Sequence, residues 1–187
     1  MASETNVFQF IFIGNLLYMK GVMVLLDACH ILKQNNIPYI CHIVGAPTAE
    51  LSLQEVQEQI HQRQLADNIK THGPLYGNDK NDLLKKADAM VFPTLDDCFP
   101  LVVLEGMQHK LPVIASDEGA IPDMIIHGST GLLQEKGNSE AFAAAMQTLA
   151  DNPGMAEQMG AAAHEYFISH FTQQVFINKL CDILRDN

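Results

Sequence analysis

Short apolar runs rich in Phe, Ile and Val alternate along this chain with longer segments whose apolar residues recur every three to four positions. The first run, FQFIFIG at residues 8–14, is interrupted only by Gln9 and reads as a buried strand. Residues 21–33 (GVMVLLDACHILK) follow with helical spacing, and YICHIVG at 39–45 reads as a second strand, with Pro38 marking the turn ahead of it. A polar amphipathic helix over 49–64, a weaker strand over 69–75 and a short helix over 78–87 come next. The alternation continues with a strand at 89–93 (AMVFP), a helix at 100–109, a strand at 112–116 (PVIAS), one or two helical turns over 121–126 and a short strand at 131–133. From Ser139 onward the pattern changes to three consecutive helices, 139–151, 153–170 and 172–185, which are expected to pack on the sheet, with the last also free to reach toward something else.

Repeated strand and helix predict a doubly wound α/β fold, a mostly parallel sheet covered by helices on both faces. Ligands of such sheets bind outside the carboxyl ends of the strands. No repeat, low-complexity stretch or long Gly/Ser linker interrupts the pattern, so a single domain is expected over residues 7–187. The polar opening, residues 1–6, is left out of that reading.

Composition narrows the picture. With 48% hydrophobic and 18% charged residues, the chain has the balance of an ordinary globular domain. Its 22 acidic against 11 basic residues give a net charge of −11, which repels a phosphate backbone and argues against nucleic acid as a partner. Cys29, Cys41, Cys98 and Cys181 lie far apart within apolar segments, so they are expected to be reduced core thiols. No secretory signal pattern and no apolar run of about 18 residues is visible, and a cytoplasmic location is expected.

Several chemistries are excluded by absent motifs. No two glycines sit two apart, so the G-x-G-x-x-G dinucleotide fingerprint is missing, and so is the G-x-x-x-x-G-K-[ST] phosphate loop. No Asp-x-Asp is present, and none of the eight histidines has the i, i+4 spacing of a helical metal site.

Two motifs remain, both at ends of predicted strands. In GNLLYMKG (residues 14–21), Gly14 allows close approach of a ligand to the backbone, and Lys20 adds a full charge to the exposed N–H groups of a helix start. A solvated lysine beside a turn glycine would look the same. In VFPTLDDCFPLVVLEGM (residues 91–107), Pro100 suits the first turn of a helix, Asp97 lies in the loop ahead of it, and Glu105 sits more than a turn inside an apolar stretch. A carboxylate there must surface or find donors, because unpaired burial costs several kcal/mol. Sugar hydroxyls are suitable donors, and a salt bridge to a neighbour such as Lys110 is the plainer alternative.

At these residues the sequence resembles the C-terminal, donor-binding domain of the family 4 retaining glycosyltransferases, enzymes of the GT-B architecture in which two Rossmann-like domains face a cleft. The family's G-R-L-x-x-x-K-G corresponds to residues 14–21, its E-G-F-P-L-x-x-L-E-A-M to residues 97–107, and its P-V-I-A-S, G-G-x-P-E and G-x-T-G-L-L segments to 112–116, 119–123 and 128–133. The resemblance implies that Lys20 binds the donor diphosphate beside Gly14 and Asn15, and that Glu105 accepts hydrogen bonds from the ribose. It implies that Asp97 holds sugar hydroxyls and, with Lys20, forms the catalytic pair. The backbone N–H groups of Cys98, Phe99 and Leu101 would meet sugar and phosphates, and the base would lie near residues 73–75, against Leu75. It further implies a UDP- or GDP-linked sugar as substrate, no metal or other cofactor, and an N-terminal acceptor domain as partner, through which any membrane contact would be made. Three departures from the pattern stand out: Asn15 stands where the family has arginine, Asp97 replaces the first glutamate of the pair, and Ala120 replaces a glycine. Two other functions suit the same fold, a nucleotide-sugar-binding module without transferase activity and a sugar-nucleotide epimerase.

Overall fold

The computed structural model describes residues 7–185; residues 1–6 and the last two residues of the expected domain, 186–187, lie outside the described residues. Six strands form one sheet: β1 (Phe8–Ile13), β2 (Tyr39–Val44), β3 (Ile69–Gly73), β4 (Ala89–Phe92), β5 (Val113–Ser116) and β6 (Gly131–Gln134). Eight helices accompany them: α1 (Val22–Gln34), α2 (Leu53–Gln62), α3 (Gly77–Leu84), α4 (Leu101–Gln108), α5 (Ile121–Met124), α6 (Ser139–Asp151), α7 (Pro153–His170) and α8 (Gln173–Arg185).

The strand order is β3-β2-β1-β4-β5-β6, and every pairing is parallel. Parallel neighbours need crossover connections, which are almost always right-handed. The chain first runs outward from β1 to β3, then returns to β4 on the other side of β1 and runs outward to β6, so the connections before and after the reversal lie on opposite faces. Among the later helices, α6 packs on α1 and α7 on α4, which completes both layers.

Burial on both faces explains the composition of the central strands. Phe10, Ile11, Phe12, Met90, Val91, Val113, Ile114 and Ala115 are all inaccessible to solvent, and Phe12 stacks on Phe92 across the β1/β4 junction with ring centroids 6.3 Å apart. The Tyr39 hydroxyl, buried under α1, donates to the Cys29 carbonyl at 2.6 Å, which satisfies a polar atom that would otherwise be costly there.

Three expectations need correction. Of the last three helices, α8 does not pack on the sheet: none of its residues is buried, and it touches α7. Only Cys29 and Cys41 are core thiols, whereas Cys98 in the β4–α4 loop and Cys181 on α8 are exposed. Pro100 is the N-cap of α4 rather than a first-turn residue: its ψ of 105° is extended, so the helix begins at Leu101.

Candidate functional site

The reversal of strand order between β1 and β4 leaves a crevice at the carboxyl ends of the strands, and both sequence motifs fall beside it. After β1 the chain passes Gly14 and Asn15, makes one 3-10 turn at Tyr18–Lys20, and enters α1 through Gly21. After β4 it passes Pro93 to Pro100 and enters α4.

The two loops are sewn together by the Met19 carbonyl. That oxygen accepts from the N–H of Leu95 at 2.7 Å and from the buried Thr94 hydroxyl at 3.0 Å. Gly21 sits directly against the Pro93 carbonyl, 1.8 Å from where a Cβ would stand, so the backbones approach as closely as glycine allows. This contact brings together residues 77 apart in sequence: Lys20 Nζ donates to Asp97 Oδ2 at 2.6 Å. The pair is half-buried, with side-chain exposures of 26% for Lys20 and 16% for Asp97, so it is shielded from solvent more than a surface bridge would be.

A second pair lies alongside. Glu105, one turn into α4, is met by Lys80 of α3, with Nζ 2.5 Å from Oε1. Lys110, the neighbour suggested by sequence distance, is not its partner. Lys80 went unrecognised in the sequence because it stands in a polar stretch, NDKND, with no motif around it; only the return of the chain from β3 to β4 sets α3 beside α4.

Beside Lys80, at the ends of β1, β2 and β3, lies a cleft of about 140 Å³ lined by Gly14, Asn15, Gly45, Leu75, Tyr76 and Lys80, among others. Its floor is held by backbone bonds, Gly14 N–H to the Val44 carbonyl at 3.0 Å and Gly45 N–H to the Gly73 carbonyl at 2.9 Å. Asp97 and its neighbours Cys98 and Phe99 belong to the β4–α4 loop, which the β5–α5 loop braces from behind. There the Cys98 carbonyl accepts from Ala120 N–H at 3.0 Å. In a trans peptide the N–H points opposite to the carbonyl, so the N–H of Phe99 faces away from that loop. The first N–H groups of α4, starting at Leu101, add the unpaired donors and partial positive charge of a helix start. The departure at Ala120 is accommodated without strain: its φ is −89°, whereas the left-handed conformation falls on Gly119 at +55°.

The sheet, the crevice and the two lysine–carboxylate pairs make up the candidate site, and comparison with known sequences settles the kinship of the chain. The model of the family described as glycosyl transferases group 1 matches residues 2–166. The chain belongs to that family. Its fold is the C-terminal, donor-binding half of GT-B. Among curated proteins, the D-rhamnosyltransferase WbpZ of Pseudomonas aeruginosa is 34% identical over 166 residues, covering 87% of this chain and 41% of its own length. The amylovoran biosynthesis glycosyltransferase AmsK of Erwinia amylovora is 28% identical, covering 92% of this chain and 43% of its own length. The chain therefore spans less than half the length of these relatives. Among solved structures, the C-terminal domain of the group 1 protein LpcC of Francisella tularensis aligns at a TM-score of 0.79 with 21% identity, over 89% of this chain and 87% of that one. Anabaena HepE, solved with UDP and glucose, aligns at a TM-score of 0.84 with 20% identity, over 97% of this chain and 49% of its own. Both share the fold of this chain. Among the described residues, no helix is long and apolar enough to cross a membrane, and no three His, Cys, Asp or Glu side chains are grouped to hold a metal.

Proposed function

We propose that residues 7–187 form the nucleotide-sugar site of a retaining glycosyltransferase, which transfers a sugar from a UDP- or GDP-linked donor to a glycan or glycolipid acceptor. The observation that carries this reading is the Lys20–Asp97 pair, held at the strand-order reversal beside an open cleft and the start of α4. A UDP-linked donor draws support from HepE, a relative in fold that was solved with UDP and glucose.

In this reading, Lys20 meets the diphosphate, Glu105 receives the ribose hydroxyls, and Asp97 orients the sugar. The N–H groups of Cys98, Phe99 and Leu101 meet sugar and phosphate oxygens, and the base lies in the cleft against Leu75. As the glycosidic bond breaks, the leaving diphosphate gains negative charge. A fixed ammonium and unpaired helix N–H groups stabilise that charge more in the transition state than in the ground state, which lowers the barrier. Asp97, already paired with Lys20, acts as a positioning residue. The acceptor approaches on the face the phosphate leaves, and the phosphate takes the acceptor proton, so configuration is retained.

The other half of the enzyme is an N-terminal acceptor domain. Two apolar surfaces suit such a neighbour: the loop residues Tyr18, Met19, Phe99 and Leu101 around the crevice, and the face of α8 carrying Phe176, Ile177, Leu180 and Leu184, all exposed. The net charge of −11 favours neither nucleic acid nor anionic lipid, so a cytoplasmic enzyme would reach a membrane through that other domain.

Calorimetric titration of this chain with UDP, GDP and their glucose, N-acetylglucosamine and mannose conjugates tests the reading. The expected result is selective binding to one nucleotide series that Lys20→Ala and Glu105→Ala each weaken by about tenfold or more. Binding that neither substitution affects would overturn it.

A further inference from the structure

We propose that Lys80 is the cation that the cleft presents to the diphosphate of the bound nucleotide; this rests on the nucleotide-sugar reading above and adds a binding residue to it. The cleft is otherwise uncharged. Among its lining residues in the described structure, Lys80 alone carries a charge, while Asn15, also in the lining, offers an amide that can donate but brings no charge. Lys20, the other lysine of the site, is not among the residues lining the cleft.

Position and chemistry agree. Lys80 Nζ stands 2.5 Å from Glu105 Oε1 with the side chain 24% exposed, so the ammonium is held at the mouth of the cleft rather than free in solvent. An ammonium has three N–H donors, more than an ion pair with one carboxylate oxygen uses, so donors remain for phosphate oxygens while the second oxygen of Glu105 is left for ribose hydroxyls. The ion pair also answers an electrostatic difficulty: in a chain of charge −11, a bare carboxylate beside the phosphate subsite would repel the ligand, and Lys80 neutralises it.

A residue that only orients Glu105 would affect ribose recognition, with or without phosphates. A residue that touches the diphosphate affects nucleotides and spares nucleosides. Titrations of the chain and of Lys80→Met, Lys80→Arg and Lys20→Ala with UDP and GDP, and with uridine and guanosine, separate the two, with a cooperative thermal melt confirming that each variant is folded. For the nucleotide that the unaltered chain prefers, Lys80→Met is expected to weaken the diphosphate by about tenfold or more and the matching nucleoside by less than about twofold, with Lys80→Arg retaining most of the affinity. Equal losses for diphosphate and nucleoside would overturn the assignment, as would no loss for either. Loss of diphosphate binding in Lys20→Ala but not in Lys80→Met would overturn the role of Lys80 alone. Failure of the unaltered chain to bind either diphosphate would overturn the nucleotide-sugar reading itself, and this inference with it.

Discussion

Gly21 and His42 show how much a single position carries. Gly21 has a φ of +76° and leaves no space for a Cβ, which would lie 1.8 Å from the Pro93 carbonyl. Gly21→Ala therefore combines backbone strain with overpacking, and a loss of at least about 2 kcal/mol is expected in a urea melt. Because the clash pushes the β4–α4 loop away, the same variant should also bind nucleotide less well than its remaining stability accounts for. His42 is buried in β2, accepts from His72 Nε2 at 2.9 Å through Nδ1, and gives its Nε2–H to Gln9 Oε1 at 3.1 Å. Burial, reinforced by His72, Lys70 and Lys86, holds it down to about 4 from an ordinary 6.5. Between those values the unfolded chain binds a proton that the folded chain does not. Stability from this group is complete above 6.5 and falls with pH by up to about 1.4 kcal/mol per unit toward 4. Urea midpoints measured between about pH 4.5 and 7.5 should fall less steeply on the acid side in His42→Gln than in the unaltered chain. Equal slopes would contradict the assignment.

At the scale of elements, the alternation of strand and helix was legible because burial on both faces leaves few polar residues in β1, β2, β4 and β5, while the helices keep a polar side. Ends were less legible. The polar helix expected over 49–64 is α2, Leu53–Gln62, because Ser52 closes a capping box: its hydroxyl accepts from Glu55 N–H at 3.2 Å and the Glu55 carboxylate accepts from Ser52 N–H at 2.7 Å. The signal, Ser-x-x-Glu, was present in the sequence. Ser52→Ala is expected to cost about 1 kcal/mol in a thermal or urea melt without altering nucleotide binding, since α2 stands clear of the cleft. The site motifs were legible for a related reason: Lys20, Asp97 and Glu105 each stand out as a charge at the end of an apolar strand or within an apolar helix. Lys80, a charge among charges, had no such contrast.

The whole molecule is organised around one reversal of strand order and one helix that stands apart. No residue of α8 is buried, yet Phe176, Ile177, Leu180 and Leu184 recur along one side at helical spacing. Deleting residues 172–187 is therefore expected to shift the melting temperature of this chain by no more than about 4 °C, the change that about 1 kcal/mol produces in a chain of this size. A loss much larger than that would show that α8 stabilises the sheet domain itself.

The sequence by itself determined the class of fold and the edge of the sheet at which the candidate site lies, because the period of buried positions follows from which faces of each element meet the core, and parallel α/β sheets place their loops on a common side. It also determined which carboxylates needed partners, since an ionised group in an apolar stretch cannot remain alone. What it could not determine was which partner each would find. Lys20 meets Asp97 across 77 residues because β4 lies beside β1, and Lys80 meets Glu105 because the chain returns from β3 to β4 and lays α3 beside α4. Strand order is a choice among arrangements with the same local periodicity. Only the packing of the whole core selects one of them, and with it the pairs of charges at the site.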